Sequence, residues 1–231
     1  LSFLYIAKFI LVNSYRFFIS AKVNGNIVNW DYIVDINSLY QNINIDSNDA
    51  AVIMRHSSCH LLSNSIRILY NKSIFNIGPC IGNYYYYDFD INAEINLCDL
   101  INIENIMIKL VDMDFVIFES KIDRFSLLLN YVLKDDFYKI HIIKNTILNT
   151  FSLYKHYIFF DLCKGPHVLN SGKLVNFRLL KFSKVVYDST LCFLNRIYGV
   201  FINNDSDLYS FVNNLLNKNL NDHRKIGRNL N

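Results

Sequence analysis

Two short motifs hold the side chains that could do chemistry. Arg55-His56-Ser57-Ser58-Cys59-His60 sets two imidazoles four positions apart, and Asp161-Leu162-Cys163-Lys164-Gly165-Pro166-His167 sets a thiol and an imidazole at the same spacing. Imidazole and thiolate are preferred ligands of zinc, so His56, His60, Cys163 and His167 could hold a metal ion. Imidazole is also a general base near neutral pH, which allows a hydrolytic site without metal. A third reading makes Cys163 a covalent nucleophile with His167 as its base. Spacing alone leaves the three open.

The elements that must position these groups differ. Residues 50–70 read as a helix that is apolar around most of its circumference (Ile53, Met54, Leu61, Leu62, Ile66, Ile68, Leu69), with one narrow polar stripe of His56, His60, Ser63, Asn64 and Arg67. A helix buried nearly all round should turn that stripe into a cleft; the bland alternative is a solvated stripe of satisfied histidines. Around Cys163 and His167, Gly165 and Pro166 interrupt any regular element and predict a tight turn that folds the two side chains toward each other. The expected site is a pair on a rigid helix facing a pair on a turn.

The chain of 231 residues is 52% hydrophobic and 19% charged, which excludes a disordered segment and a coiled coil. A net charge of +3 permits nucleic acid as a partner without demanding it. Five scattered cysteines do not make a secreted disulfide framework, and a reducing, cytoplasmic setting is expected. No apolar run is long enough for a membrane helix, and Lys8 within the apolar start argues against a signal peptide. Because the first residue is Leu, the chain is expected to be a fragment.

In order, the sequence predicts a helix over 3–11 with Ser2 as its cap, a strand over 17–23, an Asn24-Gly25 hairpin and a strand over 39–45. The polar joint Asp46-Ser47-Asn48-Asp49 marks a boundary. Beyond the 50–70 helix come strands over 73–77 and 84–90, a helix over 97–111, a strand over 114–119 and a helix over 123–133. Strands over 137–143, 157–162, 175–182 and 197–202 follow, then a helix from Asp205 to about 219 that runs into the basic His223-Arg224-Lys225-Ile226-Gly227-Arg228. Cys59, Cys80, Cys98, Cys192 and Trp30 read as packing residues. His141 and His156 read as structural, although His156 lies close enough to the second motif to line the cleft.

Taken together, Ile53 to Leu62, Ile77-Gly78-Pro79 with Tyr86-Tyr87-Asp88, Asp161 to Val168, Arg196-Ile197-Tyr198-Gly199 and Asp222-His223-Arg224-Lys225-Ile226-Gly227 resemble the N-terminal half of bacterial threonyl-tRNA synthetases. The paired motif alone also resembles alanyl-tRNA synthetase editing domains. The resemblance implies an α+β fold: a truncated ubiquitin-like β-grasp unit (the TGS domain) over 1–46, an editing domain over 47–203, and over 204–231 a linker helix toward an absent class II aminoacylation domain. It implies a tRNA partner, bound at its 3′ end, and a homodimer for the full-length enzyme. ATP, magnesium and zinc would serve only the absent domain.

The implied activity is proofreading, the hydrolysis of serine mischarged onto the threonine tRNA. A synthetic pocket can exploit serine's missing methyl by only ~1–3 kcal/mol, so a second, hydrolytic site is needed. The resemblance assigns that site to His56, His60, Lys139, Asp161, Cys163 and His167, with Tyr87 in the pocket. His56 or His167 would activate water, Lys139 would offer charge to the ribose or the carbonyl oxygen, and Asp161 would bind the serine ammonium. Hydrolysis is expected without metal, although the ligands make a zinc set. Tyr84, Ser63-Asn64 and residues 184–188 depart from the family pattern, which keeps two alternatives in view: a hydrolytically degenerate tRNA-binding arm, and a free-standing trans-editing deacylase.

Overall fold

The hairpin forms where the sequence places it. Asn24 (φ 50°) and Gly25 (φ 81°) both adopt the left-handed conformation that a tight two-residue turn requires. They join β1 (Phe18–Val23) to β2 (Asn26–Val28), and β1 pairs on its other edge with β3 (Tyr40–Asn44), all antiparallel. This is a computed structural model, and it describes residues 18–228 apart from 31, 36 and 188–192, with side chains described up to residue 217. The expected 3–11 helix, Asp188, Cys192 and the side chains of the closing basic run lie outside the described residues. Ala21, Val23, Val28 and Val34 make a small core under this sheet, with Trp30 packed against it, while Ile19 and Ile43 join the main core.

The central element is α1 (Asn48–Leu69), started by the Ser47 side chain accepting from the Ala50 amide. It packs against a mixed-length antiparallel sheet in the order β10 (Phe177–Val186), β11 (Phe193–Phe201), β6 (Tyr84–Asp90), β4 (Ile74–Phe75), with β5 (Cys80–Ile81) also on β6. Beside it lies α2 (Leu97–Asp112), whose start is closed by a reciprocal Asn96–Asp99 capping box. A third sheet, β7 (Ile117–Asp123), β8 (Thr150–His156) and β9 (Phe159–Leu162), supplies the other wall. α3 (Arg124–Val132) and α4 (Phe137–Lys144) belong to that side, and α5 (Asp205–Arg228) ends the described chain. The fold is thus α+β with antiparallel sheets.

Two expectations are corrected. Residues 137–143, read as a strand because Phe, Tyr and three Ile favour extended chain, form α4 instead. The Asp136 side chain caps it by accepting from the Lys139 amide at 3.0 Å, and Tyr138, Lys139 and Ile143 face inward at helical spacing. β8 was not anticipated; its seven-residue pairing with β7 fixes it despite irregular alternation.

Candidate functional site

The α1 stripe is not solvated where it matters. His60, Ser63 and Asn64 are fully enclosed, and only His56 among the first three stripe positions is half-buried. Further along, Arg67 lies over the Phe75 ring at 5.0 Å. Serines 57, 58 and 65 bond the carbonyls one turn back, so these buried hydroxyls are satisfied within the helix, whereas the buried Asn64 amide has no partner.

The second motif arrives on β9 and turns sharply after it. Gly165 sits at φ +68°, and a Cβ there would lie 2.0 Å from the Tyr154 hydroxyl, so both backbone conformation and space demand glycine. A Cβ on Gly78 would likewise collide with Tyr87 and Cys59 at 2.5 and 2.6 Å. The result brings every residue singled out in the sequence together. The ligand atoms of His56, His60, Cys163 and His167 all lie within 4.8 Å of one another. Asp161, buried beside them, accepts from Tyr87 Oη on one oxygen, and from Lys139 Nζ and the Leu162 amide on the other. α4, as a helix rather than a strand, is what carries Lys139 inward.

The hydrogen bonds assign protons. Ser57 Oγ donates to the Ile53 carbonyl at 2.9 Å and accepts from the Val168 amide at 3.1 Å; a hydroxyl has one proton, so its 3.0 Å contact with His167 Nδ1 requires an N–H on that nitrogen. Neutral His167 therefore keeps a bare lone pair on Nε2, which is buried without a protein partner. Ser57 is the residue that sequence reasoning missed: it stood inside the motif, but only the fold shows that it orients the opposite pair. His56 bonds the backbone of Pro166, which can only accept, and its Nε2 lies 3.1 Å from Cys163 Sγ.

Burial depresses the basicity of the cluster. It pushes His60 and His167 well below the ordinary imidazole value, reinforced by the neighbouring imidazoles, and takes His156 down to about 3. Burial also pushes the Cys163 thiol up to about 12. Both the raised thiol and the geometry disfavour the nucleophile reading: Cys163 Sγ meets His56 Nε2 and accepts from the Gly165 amide, rather than pairing with His167.

A metal ion fits the donor set. Three imidazoles and one thiol converge, and His60 Nδ1 and His167 Nε2 have no protein partner. His56, His60, Cys163 and His167 would hold zinc, which would supply Lewis acidity; the raised thiol opposes the thiolate such ligation needs.

Sequence comparisons fit this architecture. The profile described as "Threonyl and Alanyl tRNA synthetase second additional domain" matches residues 151–186, which run from the second residue of β8 through β9 and the glycine turn to the end of β10. Threonine–tRNA ligase of Vesicomyosocius okutanii is 34% identical over 213 residues, 91% of this chain and 34% of the relative. The chain belongs with the N-terminal regions of threonyl-tRNA synthetases. The threonine–tRNA ligases of an Exiguobacterium species (34% identical, 92% of this chain and 34% of the relative) and of Acetivibrio thermocellus (30% identical, 97% and 36%) agree with it. The chain thus spans about a third of the length of the curated threonyl-tRNA synthetases it matches. Among the described residues no helix is long and apolar enough to cross a membrane.

Proposed function

We propose that this region hydrolyses the ester of serine mistakenly attached to the threonine tRNA, within a threonine–tRNA ligase whose aminoacylation domain lies outside the chain. The observation that carries the reading is the bare Nε2 lone pair of His167, held by Ser57 and enclosed beside the Lys139–Asp161–Tyr87 group. This nitrogen is free to accept a proton at neutral pH, and Lys139 supplies a fixed cation reached through His60 and Asp161, the two parts that general-base hydrolysis of an ester uses. His167 Nε2 takes a proton from the attacking water as its oxygen bonds the ester carbonyl carbon. Lys139 stabilises the oxygen that gains charge. The bond to the ribose oxygen then breaks, and that oxygen receives the proton back from His167.

Asp161 already serves Lys139 and Tyr87, so the incoming serine ammonium would compete with Lys139 for it and free that cation for the ester. His56 and Cys163 wall the pocket, and His60 backs Asp161 at 3.8 Å. Units at 1–46, 47–203 and 204–231, in the family's order, would place the pocket at the tRNA 3′ end, in the cytoplasm and in a homodimer.

The test is the decay of serine-charged and threonine-charged threonine tRNA in the presence of the chain and of its His167→Ala variant. Fast loss of serine, slow loss of threonine and an inactive variant are expected. Serine loss at the buffer rate with retained tRNA binding would replace hydrolysis by a tRNA-binding arm.

A further inference from the structure

Tyr154 touches the site in two places, although the chemistry above gives it no part. Its ring stands 4.5 Å from that of His167, at 60° to it. Its hydroxyl lies against Gly165, where a Cβ would come within 2.0 Å of it. The register explains the placement. Tyr154 on β8 is paired with Glu119 on β7 and with Asp161 on β9, so the three side chains form one row across the sheet, on the face that carries Asp161.

The hydroxyl is tied from outside that sheet. Asn29, the residue after β2, donates from Nδ2 to Tyr154 Oη and to Glu119 Oε2, which uses both of its N–H groups. Turning the amide over would set its oxygen against the Glu119 carboxylate, so charge fixes the direction of these bonds. That carboxylate is ionised: burial alone would raise it, but hydrogen bonds from Lys121, Ser152 and Asn29 hold it below the usual carboxylate range. The Asn29 oxygen is buried without a partner. An apolar residue would fill the space without that orphaned acceptor, and the two donated bonds are what an asparagine adds.

We propose that Asn29 is a positioning residue for the hydrolysis: by tying the Tyr154 hydroxyl it sets the Tyr154 ring against His167 and seats the turn at Gly165, which makes the β1–β3 sheet a working part of the site. The kinetic part of this inference rests on the hydrolytic reading; the ring contact does not. A second junction of the same sheet serves as the comparison. The Lys22–Asp49 ion pair, at 2.6 Å, ties β1 to the start of α1 and shares no hydrogen-bond partner with Tyr154.

The experiment uses the whole chain with Asn29→Ala, Tyr154→Phe, the two combined, and Lys22→Met, each studied well below its melting temperature. In Asn29→Ala and in Tyr154→Phe, kcat for serine release should fall about 10-fold while KM stays within about twofold, because a misplaced base slows the chemical step rather than binding. The combined variant should be no slower than the slower single one, since both changes cut the same tie. Lys22→Met should keep the parent's rate within about twofold. In proton spectra the His167 ring resonances, which the Tyr154 ring current shifts, should move in Asn29→Ala and hold in Lys22→Met. Multiplied losses in the combined variant overturn the proposal, and so do His167 resonances unmoved in Asn29→Ala. An equal loss of rate in Lys22→Met also overturns it, by making the sheet a general support. A parent chain that releases no serine while its His167 resonances respond to Asn29→Ala defeats the hydrolytic reading alone.

Discussion

Tyr87 and Asp88 are neighbours on β6 that point to opposite faces of the sheet, and each belongs to a group of aspartate, cation and tyrosine. On the outer face the buried Asp88 takes Arg196 in two parallel bonds of 2.6 and 2.7 Å, with the guanidinium 3.8 Å over Tyr86. On the inner face Tyr87 and Lys139 meet Asp161. The guanidinium fork matches both carboxylate oxygens and also bonds Tyr198, so the outer group is saturated. The inner group uses a point charge whose ammonium has three donors, of which the bond to Asp161 takes one, and it adjoins imidazole nitrogens without partners. Similar parts make a brace on one side and a site on the other, and the difference lies in what is left unsatisfied.

Breaking the inner group should have the largest effect. Lys139→Met strands a buried carboxylate, so we expect a loss of about 3–5 kcal/mol in stability, measured by urea unfolding, together with loss of serine release. Arg196→Met breaks the outer group, where the cation is partly exposed; about 2–4 kcal/mol should be lost, while the folded fraction keeps its hydrolytic rate. Gly165→Ala tests the turn beneath the inner group. The positive φ and the clash with Tyr154 should cost roughly 1–3 kcal/mol and slow hydrolysis, whereas the same change at Gly25, with nothing near its Cβ, should leave the rate alone.

Acid should weaken the inner face selectively. The folded-state basicities of His60, His156 and His167 are lowered, so below about pH 6.5 the unfolded chain binds protons that the folded chain refuses. Stability should therefore fall as pH drops below that value, by up to about 1.4 kcal/mol per pH unit for each histidine still neutral in the fold, and His156→Leu should flatten the slope in thermal melts. The smallest change is expected of Cys163→Ser. A thiol that acts only as a hydrogen-bonding neighbour of His56 should be replaceable within about tenfold in rate, whereas a nucleophile would not be.

Much of this comparison could be read in the sequence, for identifiable reasons. The period-two tyrosines gave β6 its bounds, and the long apolar circumference of α1 required its histidines to be enclosed. Glycine and proline in the second motif announced a turn. Lys139 was placed near the site but on the wrong element, because Phe137, Tyr138, Ile140, Ile142 and Ile143 favour strand locally and only the Asp136 cap favours helix. The role of Ser57 was hidden, because a hydroxyl's proton is assigned by partners far along the chain, and the enclosure of His156 among the other imidazoles was hidden because a lone histidine on a strand reads as ordinary until its neighbours are known. The outer brace was invisible, since the Asp88–Arg196 pairing depends on the register of β6 and β11.

The most direct measurement is single-turnover release of serine from serine-charged threonine tRNA, at saturating protein, by the parent chain, Arg196→Met and Lys139→Met, each kept where it is folded. Equal rates for the parent and Arg196→Met, with Lys139→Met no faster than buffer, are predicted. Equal loss in both variants, or a parent no faster than buffer, would contradict the assignment of chemistry to the inner face.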